Sequence, residues 1–389
     1  MKIKQNFPDI TKTMSREEEL FQAFRPYCSA LASKPSLPIL ERLKELVQHS
    51  NHQPLSQIQE YIVFPMQLYL RKPTMPENYT LAVLNFLSFF YTKATLSSKF
   101  VLKDIIESTL ALSMKLEKPS EDFKVAFAKL IASLFKSAHD LPEMKKYFYE
   151  DDLKLPLSHI VFQLLDWGEQ DEARDVIFAI LDALDAMIVE PNYDNEAVIE
   201  AYVERFAQML PGSTTKIVKI MKRNYPSQGH KIKTQCLNLW TKLVISIVND
   251  ENIQLEPSLE TKSNQLLSDP QWVGNACDHL FQHMQIFLSL ALNPHVNVRQ
   301  ALHHLCSKLM MHSRKNLSNT RPIQVRMYFT LFDYSLQNLL RLSEEKETSF
   351  ILMMRILLKG FANIGIGIVF HWRRSVWINE QWIIFGNYF

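Results

Sequence analysis

Apolar residues recur at three- and four-residue spacing along almost the whole chain, and this period constrains the fold more than any other feature. A helix brings residues at that spacing to one face, so the pattern predicts amphipathic helices. In 169–190 the apolar stripe is formed by Ala173, Val176, Ile177, Ile180, Leu181, Leu184 and Ile188, and four aspartates lie off it. No region alternates apolar and polar residues long enough to indicate a sheet. The expected fold class is all-α.

Breakers between the periodic stretches set the expected helix boundaries. The chain has 18 Pro but 8 Gly, where average usage would give about 27 Gly. Scarce glycine argues against tight hairpins and phosphate-binding loops. We predict helices near 15–32, 37–49, 54–70, 77–94, 99–115, 120–138, 169–190, 194–209, 213–224, 231–248, 271–291, 295–312, 321–341 and 346–360.

The stretch LNPHVNVRQALHHL at 292–305 indicates how these helices assemble. Pro294 ends one helix, because proline cannot extend a helix and disfavours helical geometry just before itself. Val298, Ala301 and Leu305 then share one face, and Arg299 lies near the turn, where its guanidinium can bind loop carbonyls. This order resembles the second helix of a HEAT repeat. We expect an α-solenoid of HEAT-like antiparallel helix pairs, with a globular helical bundle as the structural alternative.

We expect this solenoid to span 1–360. Residues 361–389 hold three of the glycines and three tryptophans and lose the helical period, so we interpret them as an alternative or aberrant terminus on a truncated array. The apolar stretch 350–370 carries Arg355 and Lys359, which are costly at a bilayer centre, so we expect a buried helix there and no membrane partner. Four cysteines without a C-x-x-C pair, and no secretory signal, favour a cytoplasmic protein, with the nucleus as a second compartment.

The sequence offers little for catalysis. Cys277, His279 and His283 form the best metal candidate, but no compact ligand spacing supports it, and ordinary core or surface histidines explain them better. No G-x-S-x-G, glycine-rich phosphate loop or recognisable catalytic cysteine is present. We therefore expect no enzyme activity, no metal and no cofactor.

Charge is unevenly distributed along the chain. Residues 150–205 hold fifteen acids, whereas 206–249 hold seven bases and no acid. Candidate partner-binding residues in the basic stretch are Lys216, Lys219, Lys222, Arg223, Lys231 and Lys233. A solvated helix face is the plain interpretation. The sharper alternative is a basic surface that binds an acidic protein segment or lies against the acidic block, and nucleic acid ranks third because the bases are few and the net charge is +2.

Three segments carry a family resemblance. They are FQAFRPYCSAL at 21–31, LSQIQEYIVFPMQLYLRKP at 55–73 and LPGSTTKIVKIMKRNYPSQGHKIKTQCLNLWTKLV at 210–244. In this order and spacing they resemble the N-terminal part of the Tel-two-interacting protein one family, a HEAT-repeat scaffold of the Triple-T (TTT) complex. The resemblance covers roughly 15–360, and family members are much longer.

The resemblance implies a non-catalytic scaffold. Its expected partners are the other TTT subunits, the phosphatidylinositol 3-kinase-related kinases and the ninety-kilodalton heat-shock chaperone machinery. The implied role is maturation and stability of those kinases, and hence DNA-damage signalling, growth signalling and telomere maintenance. A karyopherin-like HEAT solenoid that transports cargo is the alternative interpretation.

Overall fold

The computed structural model describes residues 16–72, 76–138, 140–223, 225, 229–250, 266–267, 269–313, 316–317, 323–324 and 326–327. All regular secondary structure in these residues is helical. The helices are α1 (Arg16–Ser33), α2 (Leu37–His49), α3 (His52–Gln57), α4 (Gln59–Leu70), α5 (Glu77–Lys93), α6 (Lys99–Lys115), α7 (Glu121–Ser137), α8 (Pro142–Tyr147), α9 (Lys154–Gln170), α10 (Arg174–Ala186), α11 (Glu196–Lys222), α12 (Gly229–Ile247), α13 (Pro270–Leu288) and α14 (Val296–His312).

Short polar residues start several of these helices. Ser98 and Ser120 accept hydrogen bonds from the backbone N–H groups of Val101 and Phe123, at 3.3 and 3.2 Å. The side chain of Asn195 accepts one from Val198 at 3.2 Å. Each bond satisfies a donor that the first helical turn leaves free, so these caps fix where α6, α7 and α11 begin.

Helices α1–α12 form one compact unit of five helix pairs, with α3 and α8 as short additions between pairs. The first helices of the pairs pack in the order α1, α4, α6, α9, α11, which we call layer one. The second helices pack in the order α2, α5, α7, α10, α12, which we call layer two. Each pair contacts mainly the pairs before and after it, which is the arrangement of an α-solenoid and confirms the predicted fold class.

Helices within layer one run in the same direction. Near the start of α4, Glu60 accepts a 2.6 Å hydrogen bond from the Ser98 hydroxyl at the start of α6. At the end of α4, Arg71 pairs with Asp104, further along α6. Between α9 and α11, Gly168 allows close packing, because a Cβ built there would lie 2.8 Å from Ile220 Cδ1.

The structure differs from the predicted helices in three places. The chain does not break at Leu210-Pro211-Gly212: α11 continues through Pro211, because its buried face, with Phe206, Leu210 and Ile217, is continuous there. The segment 54–70 is two helices that meet at Ile58. Helices α8 and α9 were not predicted, although α9 is 17 residues long.

Helices α13 and α14 belong to a second compact unit. A 3-10 turn at Ser289–Leu292 connects α13 to the loop before α14. The 3-10 turn packs on both helices. The backbone N–H of Asp250 donates to His312 O at 2.7 Å, which ties the start of this unit to the end of α14.

Several predictions from the sequence concern residues outside the described ranges. Residues 361–389, the stretch 350–370, the helix near 346–360 and most of the one near 321–341 lie outside the described residues. The extent of the solenoid to residue 360 therefore stays a prediction. Among the helices of the described ranges, none combines the length and apolar content that crossing a bilayer requires.

Candidate protein-interaction surface

The six candidate basic residues fall into two groups. Lys216 pairs with Asp166 and lies 3.2 Å from Glu169, and Lys219 lies 2.8 Å from Glu169. Arg223 donates to the carbonyl oxygens of Glu169 and Asp171 at 2.7 and 2.6 Å. These three cations, two in α11 and one just after it, therefore lie against the acidic end of α9 and link two neighbouring layer-one helices.

Lys222, Lys231 and Lys233 form the second group. Lys222 and Lys231 are exposed and Lys233 is half-buried. None of the three forms an ion pair with another residue in the described ranges. They lie at the end of α11 and the start of α12. For these three lysines partner binding stays a prediction, whereas the cations of the first group are bound to acidic residues and carbonyls of this chain.

The α9–α11 ion pairs also shift the titration of their members. Hydrogen bonds from Lys219 and Lys216 lower the pKa of Glu169. The hydrogen bond to Asp166, followed by that to Glu169, raises the pKa of Lys216. Both shifts favour the charged forms, so the pairs persist through neutral pH.

The residues proposed to stabilise the repeat turn come together around α14. Arg299 Nη1 donates to Asn293 O at 2.6 Å and to Pro294 O at 2.9 Å, so its guanidinium binds the carbonyls of its own preceding turn. Val298, Ala301 and Leu305 are buried on one face of α14. These contacts join the turn to α14, and the repeat-stabilising role of these residues stays a prediction.

The cysteine and histidine residues of α13 do not gather a metal-ligand set with other described residues. Cys277 donates its thiol hydrogen to Asn316 O at 3.1 Å, and burial raises its pKa to about 11. Burial, followed by the charge of His279, lowers the pKa of His283 to about 4. The thiol is therefore protonated and the imidazole neutral at pH 7, as expected of core residues.

Sequence reasoning missed the exposed apolar residues of layer one. The two most exposed large apolar side chains of the described residues are Leu155 in α9, 69% exposed, and Phe100 in α6, 68% exposed. The others in this layer are Phe64, Leu68, Met114 and Phe162. The sequence does contain a sign that Leu155 is exposed. Leu153, Leu155 and Leu157 are spaced two residues apart, so they cannot all lie on one face of a helix. Exposed apolar side chains concentrated on one layer make that layer a candidate interaction surface.

Layer two has a different surface. Ion pairs link its neighbouring helices, as they do in layer one: Lys136 to Asp182 at 2.8 Å, and Lys242 to Asp185 at 3.2 Å, but the described part of layer two exposes few large apolar side chains. Leu37 is the one exposed large apolar residue of layer two within the described residues. The two layers therefore differ in chemistry, and layer one offers the better surface for binding another protein.

Comparison with known proteins identifies a family for this chain. The family profile described as "TTI1 N-terminal TPR domain" matches residues 21–335. TPR and HEAT repeats are both helix pairs that stack into solenoids, so the description agrees with the layered fold.

Two curated relatives match most of the chain. The "TELO2-interacting protein 1 homolog" of Homo sapiens is 25% identical over 321 residues, which cover 77% of this chain and 29% of the relative. The protein of the same name from Mus musculus is 25% identical over 328 residues, covering 79% of this chain and 30% of the relative. The chain thus spans about three tenths of the length of these relatives. Because the profile covers most of its residues, the chain belongs to the TTI1 family and corresponds to the family's N-terminal helical repeat region.

Proposed function

We propose that this chain is a non-catalytic protein-interaction scaffold of a TTT-type co-chaperone complex. The observation that carries the proposal is that the family match covers a solenoid whose first layer displays large apolar side chains. A stacked array of helix pairs buries its core between successive pairs and leaves long faces free, which suits binding to other proteins.

The partners follow from the family. The relatives are named for interaction with TELO2, so we infer that this chain binds a TELO2-type subunit of the TTT complex. The further partners are the phosphatidylinositol 3-kinase-related kinases and the ninety-kilodalton heat-shock chaperone machinery. In this role the chain supports kinase maturation and stability, in the cytoplasm and also in the nucleus.

Affinity purification tests the proposal. The tagged full chain is expressed in cells, purified, and its bound proteins are quantified by mass spectrometry against a tagged unrelated α-solenoid. We expect enrichment of the two other TTT subunits, with kinases or chaperone at lower yield. Enrichment of a Ras-family nuclear GTPase and transport cargo would favour the karyopherin-like alternative, and no enrichment of either set would contradict binding by this N-terminal region.

A further inference from the structure

The starts of α6 and α9, together with residues 196–204 of α11, form a surface that the family match does not explain. Phe100 and Leu155 are its apolar centre. Lys103, one turn after Phe100, lies 3.9 Å from Asp152, one turn before Leu155. This ion pair places the two exposed apolar side chains on neighbouring helices at the same end of layer one.

Helix α11 completes the surface. Arg205 Nη2 donates to Asp151 Oδ1 at 3.2 Å, which fixes α11 beside the start of α9. Further along, Lys216 pairs with Asp166, and a Cβ on Gly212 would lie 3.4 Å from Phe162. Both contacts join residues fifty positions apart on parallel helices, so Glu204 comes level with Lys154, next to Leu155.

Carboxylates dominate the border of this surface. The exposed or half-buried acids are Glu150, Asp151, Asp152, Glu196, Glu200 and Glu204. Three lysines lie among them, Lys99, Lys103 and Lys154, and Lys99 is placed over the Tyr147 ring at 4.9 Å. Arg205 is buried but pairs with Asp151, so it counts as a fourth base of this surface. The six acids still outnumber the four bases, so a partner with apolar side chains and positive charge complements the surface.

We propose that the surface of Phe100, Leu155 and these six carboxylates, hereafter the acidic apolar surface, docks a basic amphipathic helix of a partner protein. The proposal rests on the scaffold function and names the chemistry of one of its partners. The apolar face of the helix covers Phe100 and Leu155, and its flanking Lys or Arg side chains reach the carboxylates just before α9 and those on α11. Apolar burial supplies affinity, and charge selects a basic over an acidic helix.

A peptide-binding experiment tests this directly. The probes are two fluorescein-labelled helical peptides of about 18 residues with leucine at helical spacing, one with lysine and one with glutamate at the other positions. Fluorescence anisotropy with the purified full chain measures Kd. We expect the lysine peptide to bind at least about tenfold more tightly than the glutamate peptide, and its affinity to fall as salt rises from about 50 to about 500 mM.

Matched variants locate the site. Leu155→Ser and the double variant Glu200→Lys/Glu204→Lys should each weaken the lysine peptide at least about fivefold. Met114→Ser removes a side chain of similar exposure, 66%, at the other end of α6. Glu41→Lys/Glu45→Lys makes the same charge change at the same spacing on α2. Both controls should leave Kd within about twofold, and circular dichroism should match for all four.

Several results would overturn the proposal: no binding of the lysine peptide, equal binding of both peptides, or an equal loss in the control variants. Concentration-dependent self-association that is abolished by the same two variants would assign the surface to a second copy of this chain instead. The assay needs no other subunit. If the peptide assay fails, the scaffold proposal still stands. If subunit capture from cells fails, the peptide result can still be interpreted by itself.

Discussion

A single buried arginine joins two helix pairs. Arg205 of α11 is 2% exposed, and its Nε and Nη2 donate to Tyr149 O at 3.2 and 3.0 Å. Tyr149 lies between α8 and α9, and its hydroxyl donates to Met187 O at 2.7 Å, just after α10. One side chain thereby satisfies a buried carbonyl and fixes the connection between the fourth and fifth pairs.

We expect Arg205→Ala to lower the free energy of unfolding by about 3 kcal/mol, because it leaves Tyr149 O without donors and removes a packed aliphatic stem. Asp151→Asn is the matched control. Its side chain is 93% exposed, so its pairing with Arg205 is screened and its loss should change stability little. Urea unfolding followed by circular dichroism measures both, and equal effects of the two variants would refute the assignment.

The buried imidazole of His283 should make stability depend on pH. Burial lowers its pKa to about 4 in the folded chain, whereas the unfolded value is about 6.5. The folded state therefore binds fewer protons. The stabilisation is present above the unfolded pKa and is lost as pH falls from about 6.5 toward 4.

This shift predicts a loss of about 2 kcal/mol between pH 7 and about pH 4.5 from His283 alone. His283→Leu should flatten the pH dependence of the urea midpoint, whatever its effect on stability at pH 7. His159→Gln, which changes an exposed histidine of α9, is the matched control. An unchanged slope in His283→Leu would show that other groups set the acid sensitivity.

At the scale of helices, the basic residues of α11 divide into structural and available cations. Lys216 lies between Asp166 and Glu169, so Lys216→Glu puts three carboxylates together. We expect this change to lower the free energy of unfolding by about 1–2 kcal/mol, because like charges repel at a half-buried site. The exposed Lys222 has no such neighbour among the described ion pairs, so Lys222→Glu should be close to neutral in urea unfolding.

The same division sharpens the partner-binding prediction. If the basic surface binds a partner, reversal of Lys222, Lys231 and Lys233 should reduce subunit capture at unchanged stability. Loss of capture in Lys216→Glu alone would instead follow from a weakened α9–α11 contact. Unchanged capture in the triple variant with unchanged circular dichroism would leave these lysines as a solvated face.

Most helices and some of their ends could be predicted from the apolar period, but α9 and the contacts between helices could not. The period placed α2 at 37–49 and α6 at 99–115, and both helices have these bounds in the structure. It failed at Pro211, where tertiary packing outweighs the cost of proline. Likewise, the sequence showed that α11 is basic and 150–205 acidic, but only the register of α9 against α11 shows that Lys216 faces Asp166.

At the scale of the whole first unit, stacking without a shared centre should make unfolding local. The first pair, α1 and α2, packs on the second pair and makes no substantial contact with α11 or α12 in the described residues. A solenoid in which each pair contacts only its neighbours can unfold pair by pair, whereas a globular bundle with one core unfolds as a whole. The buried thiols at the two ends of the array report on this difference.

Cys28 in α1 and Cys236 in α12 are both buried, and burial raises both thiol pKa values, that of Cys28 to about 12. Neither should react with iodoacetamide until its helix opens, since the thiolate is the nucleophile.

Pulse labelling across a urea series, with mass spectrometry of the two peptides, should show Cys28 reacting at lower urea. Both thiols lie in terminal pairs of the first unit, but α12 holds the fully buried Trp240 and packs on the 27-residue α11, so we expect α12 to open later than α1. Equal labelling in full denaturant is the control for intrinsic reactivity. Coincident labelling of the two thiols at every urea concentration would mean that the unit unfolds as one cooperative core.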